Sequence, residues 1–284
     1  MNLLLELRIA TVLYELVGVF AVVRLFKPNL LPERTVPMGL AIASMFHLVV
    51  LAHQAQVLHG FPIVDMHGGL SVFALVVALT TALVGWKSRV PQLAPLGAIA
   101  TALIIAVAQL NEPAMDLPVR LRSPWLPLHI ATAFLGNALF MAAGLVAVLY
   151  LVQERRLKQK KRSSRSRLPP LEVLDQLSLR MIQVGFPLLT LAIISGWLLG
   201  TGRGGSAASA RLLSVHIVWL LYAVLLHFRL WIGWRGRRLA WLTVFGLVAA
   251  IVSVGLNVTR AKIEANRGPE VSRHFEASPH DHHP

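Results

Sequence analysis

Long apolar runs recur along this chain at nearly regular intervals, divided by short segments that collect most of its prolines and charges. An α-helix needs about 18–25 apolar residues to cross a bilayer core. Eight runs fit: 4–26, 36–58, 67–86, 93–110, 126–152, 181–199, 212–234 and 239–258. Strand-like alternation is missing from them, which excludes a membrane β-barrel. The pattern predicts an all-α fold, a polytopic membrane helical bundle of about eight transmembrane helices. The first run carries Glu15 and is the least uniform. With Glu6 and Arg8 near its start and no small-residue cleavage site, it is expected to be a retained span and not a signal peptide.

Charge orients the bundle. The stretch from Glu154 to Leu168 reads ERRLKQKKRSSRSRL and holds eight lysines and arginines. The positive-inside rule makes it cytoplasmic. Propagating from there, the loops with Lys27 and Arg34, with Lys87 and Arg89, and with Arg235, Arg237 and Arg238 also fall inside, so the chain reads N-out and C-out. The outer side still has Arg120, Arg122, Arg203 and Arg211. Residues 1–258 therefore form a single transmembrane unit, interrupted by a basic cytoplasmic loop at 153–170. The remainder, 259–284, is expected to be a mobile external tail. After Pro169 and Pro170, the spacing of Leu171, Leu174, Leu177 and Met181 predicts a short interfacial helix over Leu171 to Arg180 that leads into the sixth span.

Composition agrees. Of the 284 residues 56% are hydrophobic and 14% charged, with mean hydropathy +0.65, against about 45–50% and about 25% in soluble domains. The net charge of +14 sits largely between apolar runs, and the basic run lacks the interleaved aromatics that stack bases. Nucleic acid is thus discounted as a partner, and the lipid bilayer takes its place. With no cysteine, the chain has no disulfide, no thiolate metal site and no Cys-x-x-Cys-His of its own for covalent haem.

Histidine is the group left to follow, because neutral imidazole is the usual axial ligand of haem b iron. Polar groups at membrane depth are functional by default. The run from Leu212 to Trp241, LLSVHIVWLLYAVLLHFRLWIGWRGRRLAW, carries His216 and His227 eleven residues apart. That spacing is three turns plus roughly 20°, so both share one helical face about 16 Å apart. By depth, His47 in span two and His227 in span seven are the pair well inside the bilayer, the natural axial ligands for a buried haem. A second group gathers outside: His129 opens span five beside Trp125, His216 opens span seven, and His53, His59 and His67 lie near the outer loop. His59 and His67 read as solvated loop residues. Small Ala223, between His216 and His227, leaves room for a planar ring or simply packs a neighbouring helix. Glu15 reads equally as a proton relay or a water-facing carboxylate, and Trp86, Trp125, Trp197, Trp234 and Trp241 as an interfacial belt. The GTGRGG segment at 200–205 lacks the flanking elements of a phosphate loop. Arg235, Arg237 and Arg238 suit lipid head groups, and His280, His282 and His283 suit a weak divalent-metal tail. No nucleophile–base pair or intramembrane carboxylate pair points to an enzyme.

Four stretches of the second half resemble the cytochrome c assembly family of haem-handling membrane proteins, in its CcsA-like and HemX-like branch. SPWLPLHIATAFLGNALFMAAGLVAVLYL resembles the family helix that opens with an external histidine, here His129. PPLEVLDQLSLRMIQVGFPLLTLAIISGWLLG resembles its interfacial helix and next span, and VWLLYAVLLHFRLWIGWRGRRLAWL its span with Tyr222 before the transmembrane histidine, His227. GWRGRR at Gly233–Arg238 is the most specific short match, and SMFHLVVLAHQ in the first half places a further family histidine on His47. The resemblance implies eight spans, non-covalent haem b held by histidines, with His47, His129 and His227 on the iron, and haem delivery or handling in cytochrome c assembly. It also implies a multi-pass place in the bacterial inner membrane, with haem and other cytochrome c maturation proteins or the apocytochrome as partners. Two features depart: no Trp-Asp motif follows Gly196-Trp197, and the last span, GLNVTRAK, lacks an external histidine that His216 could replace. These point to an accessory or assembly factor. A proton-coupled transporter, using histidines and Glu15, and a membrane electron carrier with two haems are the alternatives. In this cysteine-free chain, a Ser164→Cys variant is expected to react with impermeant maleimide only after the cytoplasmic face is exposed; labelling from outside would reverse the topology.

Overall fold

The residues described in the computed structural model are 3–57, 63, 65–111, 125–159, 168–199 and 205–252, with the backbone alone for 205–212. Each apolar run is a helix: α1 Leu3–Phe26, α2 Thr35–Val57, α3 Met66–Lys87, α4 Leu93–Gln109, α5 Leu126–Lys158, α6 Leu171–Leu198 and α7 Gly205–Leu230. An eighth, α8, is described over 237–252. Six of these, all but α4 and α8, are long and apolar enough to cross a membrane, and α4 is an apolar helix of 17 residues. The protein is a polytopic helical membrane protein. The tail from Thr259, the basic run at 160–167, the 200–204 part of GTGRGG and His59 lie outside the described residues.

Local chemistry sets the ends. Asp65 caps α3 by accepting the Gly68 amide at 2.7 Å, satisfying one of the donors a helix start leaves open. Proline stands at the start of α5 and just before α6, where no backbone donor is needed. At the far end of α1, Arg24 donates to the carbonyls of Pro28 and Leu31 and holds the turn into α2.

The bundle encloses polar side chains among its apolar ones and turns large apolar side chains outward. Ser44, His47, Gln54, His67, Ser71, Thr81, Thr101 and Ser178 are buried, while Val12, Leu16, Val19, Phe20, Leu103 and Leu191 point outward. Hydrocarbon is as apolar as leucine and drives no leucine inward, whereas every hydroxyl and imidazole must find a partner within the protein. Two cores result. Tyr14, Val17, Leu40, Ala43, Ala78 and Ile105 pack within α1–α4; Phe140, Val146, Ile182, Tyr222 and Leu239 pack within α5–α8. The halves join where α3 and α4 meet α5, with Phe73 against Phe134 at 5.6 Å.

Two expectations are corrected here. The interfacial segment over Leu171 to Arg180 is not a separate helix: α6 runs unbroken from Leu171 to Leu198. Its Leu174, Leu177 and Met181 stripe continues into Ile182, Gly185 and Leu189, all buried. The apolar face never changes direction at Arg180, and α5, which reaches Lys158, gives it a partner throughout. Span seven also ends sooner than 234. The helix stops at Leu230, and the chain turns through Gly233 and Gly236, both at φ +73°.

That turn is pinned by one carboxylate. Asp175 Oδ2 accepts from Arg229 Nη2 at 2.7 Å and Oδ1 from the Gly236 amide at 3.2 Å, while Arg229 Nη1 donates to the Trp234 carbonyl at 3.0 Å. The indole of Trp234 stacks on Phe228 at 4.5 Å. Gly236 sits beneath the Tyr150 hydroxyl at a left-handed φ, where a Cβ would be both strained and crowded. Removing one partner of such an enclosed pair leaves the other charge uncompensated. Asp175→Ala is expected to lose roughly 3 kcal/mol of stability, read as a lower thermal unfolding midpoint in detergent, whereas Asp175→Glu retains part of it.

Candidate functional site

Where the start of α5, the end of α6 and α7 meet, the structure gathers imidazoles and indoles. The gathering begins with a glycine seam. A Cβ on Gly136 of α5 would lie 3.1 Å from the Leu189 amide nitrogen and 3.2 Å from the Gly185 carbonyl, so the two backbones touch. Small residues allow such approach in lipid. Seven residues outward on α5 comes His129, and seven residues outward on antiparallel α6 comes Ala192. Seven residues are nearly two turns, about 10.5 Å, so the same faces still oppose.

The approach brings His129 Nδ1 to 2.8 Å from the Ala192 carbonyl and 3.2 Å from Ser195 Oγ. Ser195 Oγ donates to the carbonyls of Leu191 at 2.7 Å and Ala192 at 3.1 Å. A carbonyl only accepts, so Nδ1 carries the proton and Nε2 keeps its lone pair. This is the orientation that metal-ligating histidines adopt when a backbone oxygen holds their other nitrogen. The ring is half-buried at the helix mouth, and Trp125 is exposed in the turn just before it.

The last turn of α6 then connects to α7. Trp197, two residues beyond Ser195, lies 6.0 Å from the half-buried His216 ring, tilted 40°. Below them Trp219 stacks on Phe186 at 5.4 Å and donates to Thr190 Oγ1 at 2.9 Å. Those contacts fix the face of α7 turned to α6. His129 and His216 thus flank one helix end, with three indole-bearing positions around them.

The expected buried pair is not brought together. His47 is fully buried within α1–α3, its Nε2 2.9 Å from Ser71 Oγ and its Nδ1 3.4 Å from the Tyr14 hydroxyl. His227 is exposed, three residues from the end of α7, with its ring against Trp231 at 6.1 Å. Tyr222 explains the difference. It is fully buried and stacked on Phe140 at 3.7 Å, and five further residues carry His227 about 140° round the helix, toward the surroundings. His53 pairs with Glu6 at 2.7 Å in the first half of the chain. His67, expected in solvent, is buried, and its Nδ1 lies 3.0 Å from the Ala108 carbonyl. Of the arginines expected inside, Arg238 lies over Trp234, Arg237 is 3.7 Å from Glu154, and Arg235 lines a cavity of about 290 Å³ with Glu172, Asp175 and Arg229. Glu15 is half-buried.

Sequence reasoning missed Ser195, the Ala192 carbonyl, Asp175 and the burial of His67. Gly136 and Gly185 were the available signal, since paired glycines on consecutive spans mark backbone contact. Adding a methyl-branched side chain at the seam tests the geometry: Gly136→Val is expected to cost about 1–3 kcal/mol and to free the His129 ring. Both are measurable, by thermal unfolding and by a faster carbethoxylation of His129 with diethyl pyrocarbonate.

Comparison with known proteins agrees with this architecture. Residues 43–259 match the family described as cytochrome C assembly protein. The chain is 33% identical over 229 residues to the cytochrome c biogenesis protein CcsA of Synechococcus sp. (strain CC9605), covering 70% of this chain and 75% of the relative. The CcsA protein of Parasynechococcus marenigrum (strain WH8102) matches at 33% over 229 residues, with the same 70% and 75% coverage. That of Guillardia theta matches at 31% over 172 residues, 54% of this chain and 57% of the relative.

Proposed function

The chain belongs to the cytochrome c assembly protein family, and from that premise we propose that it handles haem as cargo at its outer face, held by His129 and His216. The role in cytochrome c assembly follows from the family; the haem site is our reading of the residues. The observation that carries it is the His129 tautomer. An Nδ1–H committed to the Ala192 carbonyl at 2.8 Å leaves Nε2 as a lone pair at a half-open mouth, the form in which imidazole binds ferrous or ferric iron.

The surroundings suit a flat, largely apolar macrocycle. Trp125 and Trp197 are exposed at 52% and 65% and offer faces for stacking. His216 supplies a second imidazole across the end of α6. It takes the place of the external histidine that the last span lacks. Haem supplies the iron centre; the protein supplies ligands, stacking surfaces and an opening toward the side where cytochrome c is completed. An open mouth fits a site that gives its cargo up.

A buried haem between His47 and His227 fits less well. One imidazole is enclosed among hydroxyl groups and the other faces outward, so joint ligation requires α7 to turn.

Haemin titrated into the purified protein is expected to give a Soret band shifted to the bis-imidazole position. His129→Ala and His216→Ala should each weaken binding by roughly tenfold or more, the loss of one coordinate bond with its orienting shell. Binding unchanged in both variants but abolished by His47→Ala and His227→Ala would move the site into the bilayer; no band at all would end the reading.

A further inference from the structure

Glu15 belongs to neither core and to no part of the haem reading. It lies halfway along α1, the 24-residue span Leu3–Phe26. About 16–18 Å of helix extends to either side of it, so it stands near the middle of a hydrocarbon layer about 30 Å thick. Its two-methylene stem reaches neither headgroup plane. In that layer no water satisfies a polar group, and a partner must come from protein.

The contacts of α1 with α4 show what this chain offers. Gln109 Nε2 donates to Thr11 Oγ1 at 2.8 Å, and a Cβ on Gly18 would lie 2.8 Å from the Ala102 Cβ. The two helices are therefore antiparallel, and Glu15 falls between these points, level with Ile105 and Ala106. From Ala102 to Ala108, α4 carries only alanine, leucine, isoleucine and valine. Thr11, one turn from Glu15 on α1 itself, gives its proton to the Leu7 carbonyl at 3.0 Å and accepts from Gln109. It has no donor left for a carboxylate. Among the described residues no hydrogen bond or ion pair engages Glu15.

The carboxyl group is half-buried on the shoulder of α1 that turns from α4 toward the membrane. Val12 and Val19 flank it on α1, and Leu103, Ala106 and Leu110 form the facing edge of α4; all five are exposed. Together they make an apolar groove with one acidic group at its centre. Ala106, level with Glu15, has only a methyl group, which lets a third helix come close. Tyr14, on the other side of α1, is fully buried and bonds to Ser44 and His47. Polar side chains of this half otherwise turn inward and satisfy one another, and Glu15 is left out of that arrangement.

We propose that the α1–α4 groove docks a transmembrane helix of a second protein, one carrying a lysine or arginine at mid-membrane depth, and that Glu15 pairs with that cation. Charged residues inside membranes pair with one another, because each then removes the other's penalty. A second copy of this chain does not serve. Two copies inserted the same way are related by an axis along the membrane normal, so Glu15 would meet Glu15 at one depth, and like charges repel. Arg8 adds direction. It is exposed on the same stripe of α1, seven residues or about 10.5 Å nearer the start of the helix. The matching helix has its cation at mid-depth and an acceptor two turns toward the end where α1 begins. The surface lies in the first half of the chain and does not depend on where haem binds.

The probe is a synthetic transmembrane peptide of leucine and alanine with one central lysine, a dansyl group, and a cysteine four residues from the lysine. A control peptide has leucine in place of the lysine. Each is reconstituted with the full chain in phosphatidylcholine bilayers, and energy transfer from the chain's own tryptophans reports binding. The lysine peptide is expected to bind the wild type roughly fivefold or more tightly than the control, and Glu15→Gln, of nearly the same size, should abolish that preference. In this cysteine-free chain, oxidation should join the lysine peptide to Val12→Cys and not to Leu191→Cys, which is exposed on α6. Equal binding of the two peptides, a preference that survives Glu15→Gln, or cross-linking at Leu191→Cys would each overturn the proposal. A Val12→Cys disulfide between two copies of the chain, formed without peptide, would overturn it in favour of self-association. The two peptides compared on the wild type decide it even if a variant fails to fold.

Discussion

The contact between the backbones of α5 and α6 at Gly136 and Gly185 is the interaction on which the second half of the molecule depends. Everything described at the outer face is measured from it. The seam sets the distance between the helices, the distance lets an imidazole reach a main-chain oxygen, and that bond decides which ring nitrogen faces outward. In lipid no hydrophobic force gathers helices, so close packing of small residues must do so. The requirement falls on residues whose virtue is their lack of side chain.

The same solvent explains why polar groups organise the first half. In water, a serine or histidine turned outward costs nothing. In hydrocarbon it must turn inward and find a partner. Tyr14, Ser44, His47 and Ser71 do so with one another, and the helices that carry them are held in register by that mutual need. The buried hydroxyls of Thr81 and Ser178 instead bond to backbone carbonyls, Thr81 within its own helix and Ser178 to Ala143 across the α5–α6 interface.

How much of this was legible in the sequence follows from which quantities a linear pattern encodes. Hydropathy encodes length along the membrane normal, so the helices fall where the apolar runs lie, to within a few residues at most ends. It does not encode azimuth. His47 and His227 were matched by depth, but only the burial of Tyr222 shows that His227 looks outward. A boundary in α6 was expected at Arg180, yet Arg180 lies on its exposed side, while the leucine stripe passes beneath it unbroken. His67 was read as a solvated residue because it flanks the loop between spans two and three, yet Asp65 caps the helix that carries the ring into the interior. The position of His129 was legible because the apolar run it opens is the helix α5, in whose first turn it stands.

The length of α5 has one more consequence. Its 33 residues rise about 50 Å, well beyond a hydrocarbon core of about 30 Å. The α5–α6 hairpin therefore works in two solvents. Its outer part, closed by Gly136, Gly185 and Ala192, is joined as membrane helices are, by backbone proximity. Its other part, where Leu174 and Leu177 are buried on the helix that carries Asp175, is joined as soluble helices are, by keeping oily side chains from water. One continuous pair of helices thus changes its adhesive at the headgroup plane. The sequence records that change as a passage from glycine and alanine to leucine along a single interface.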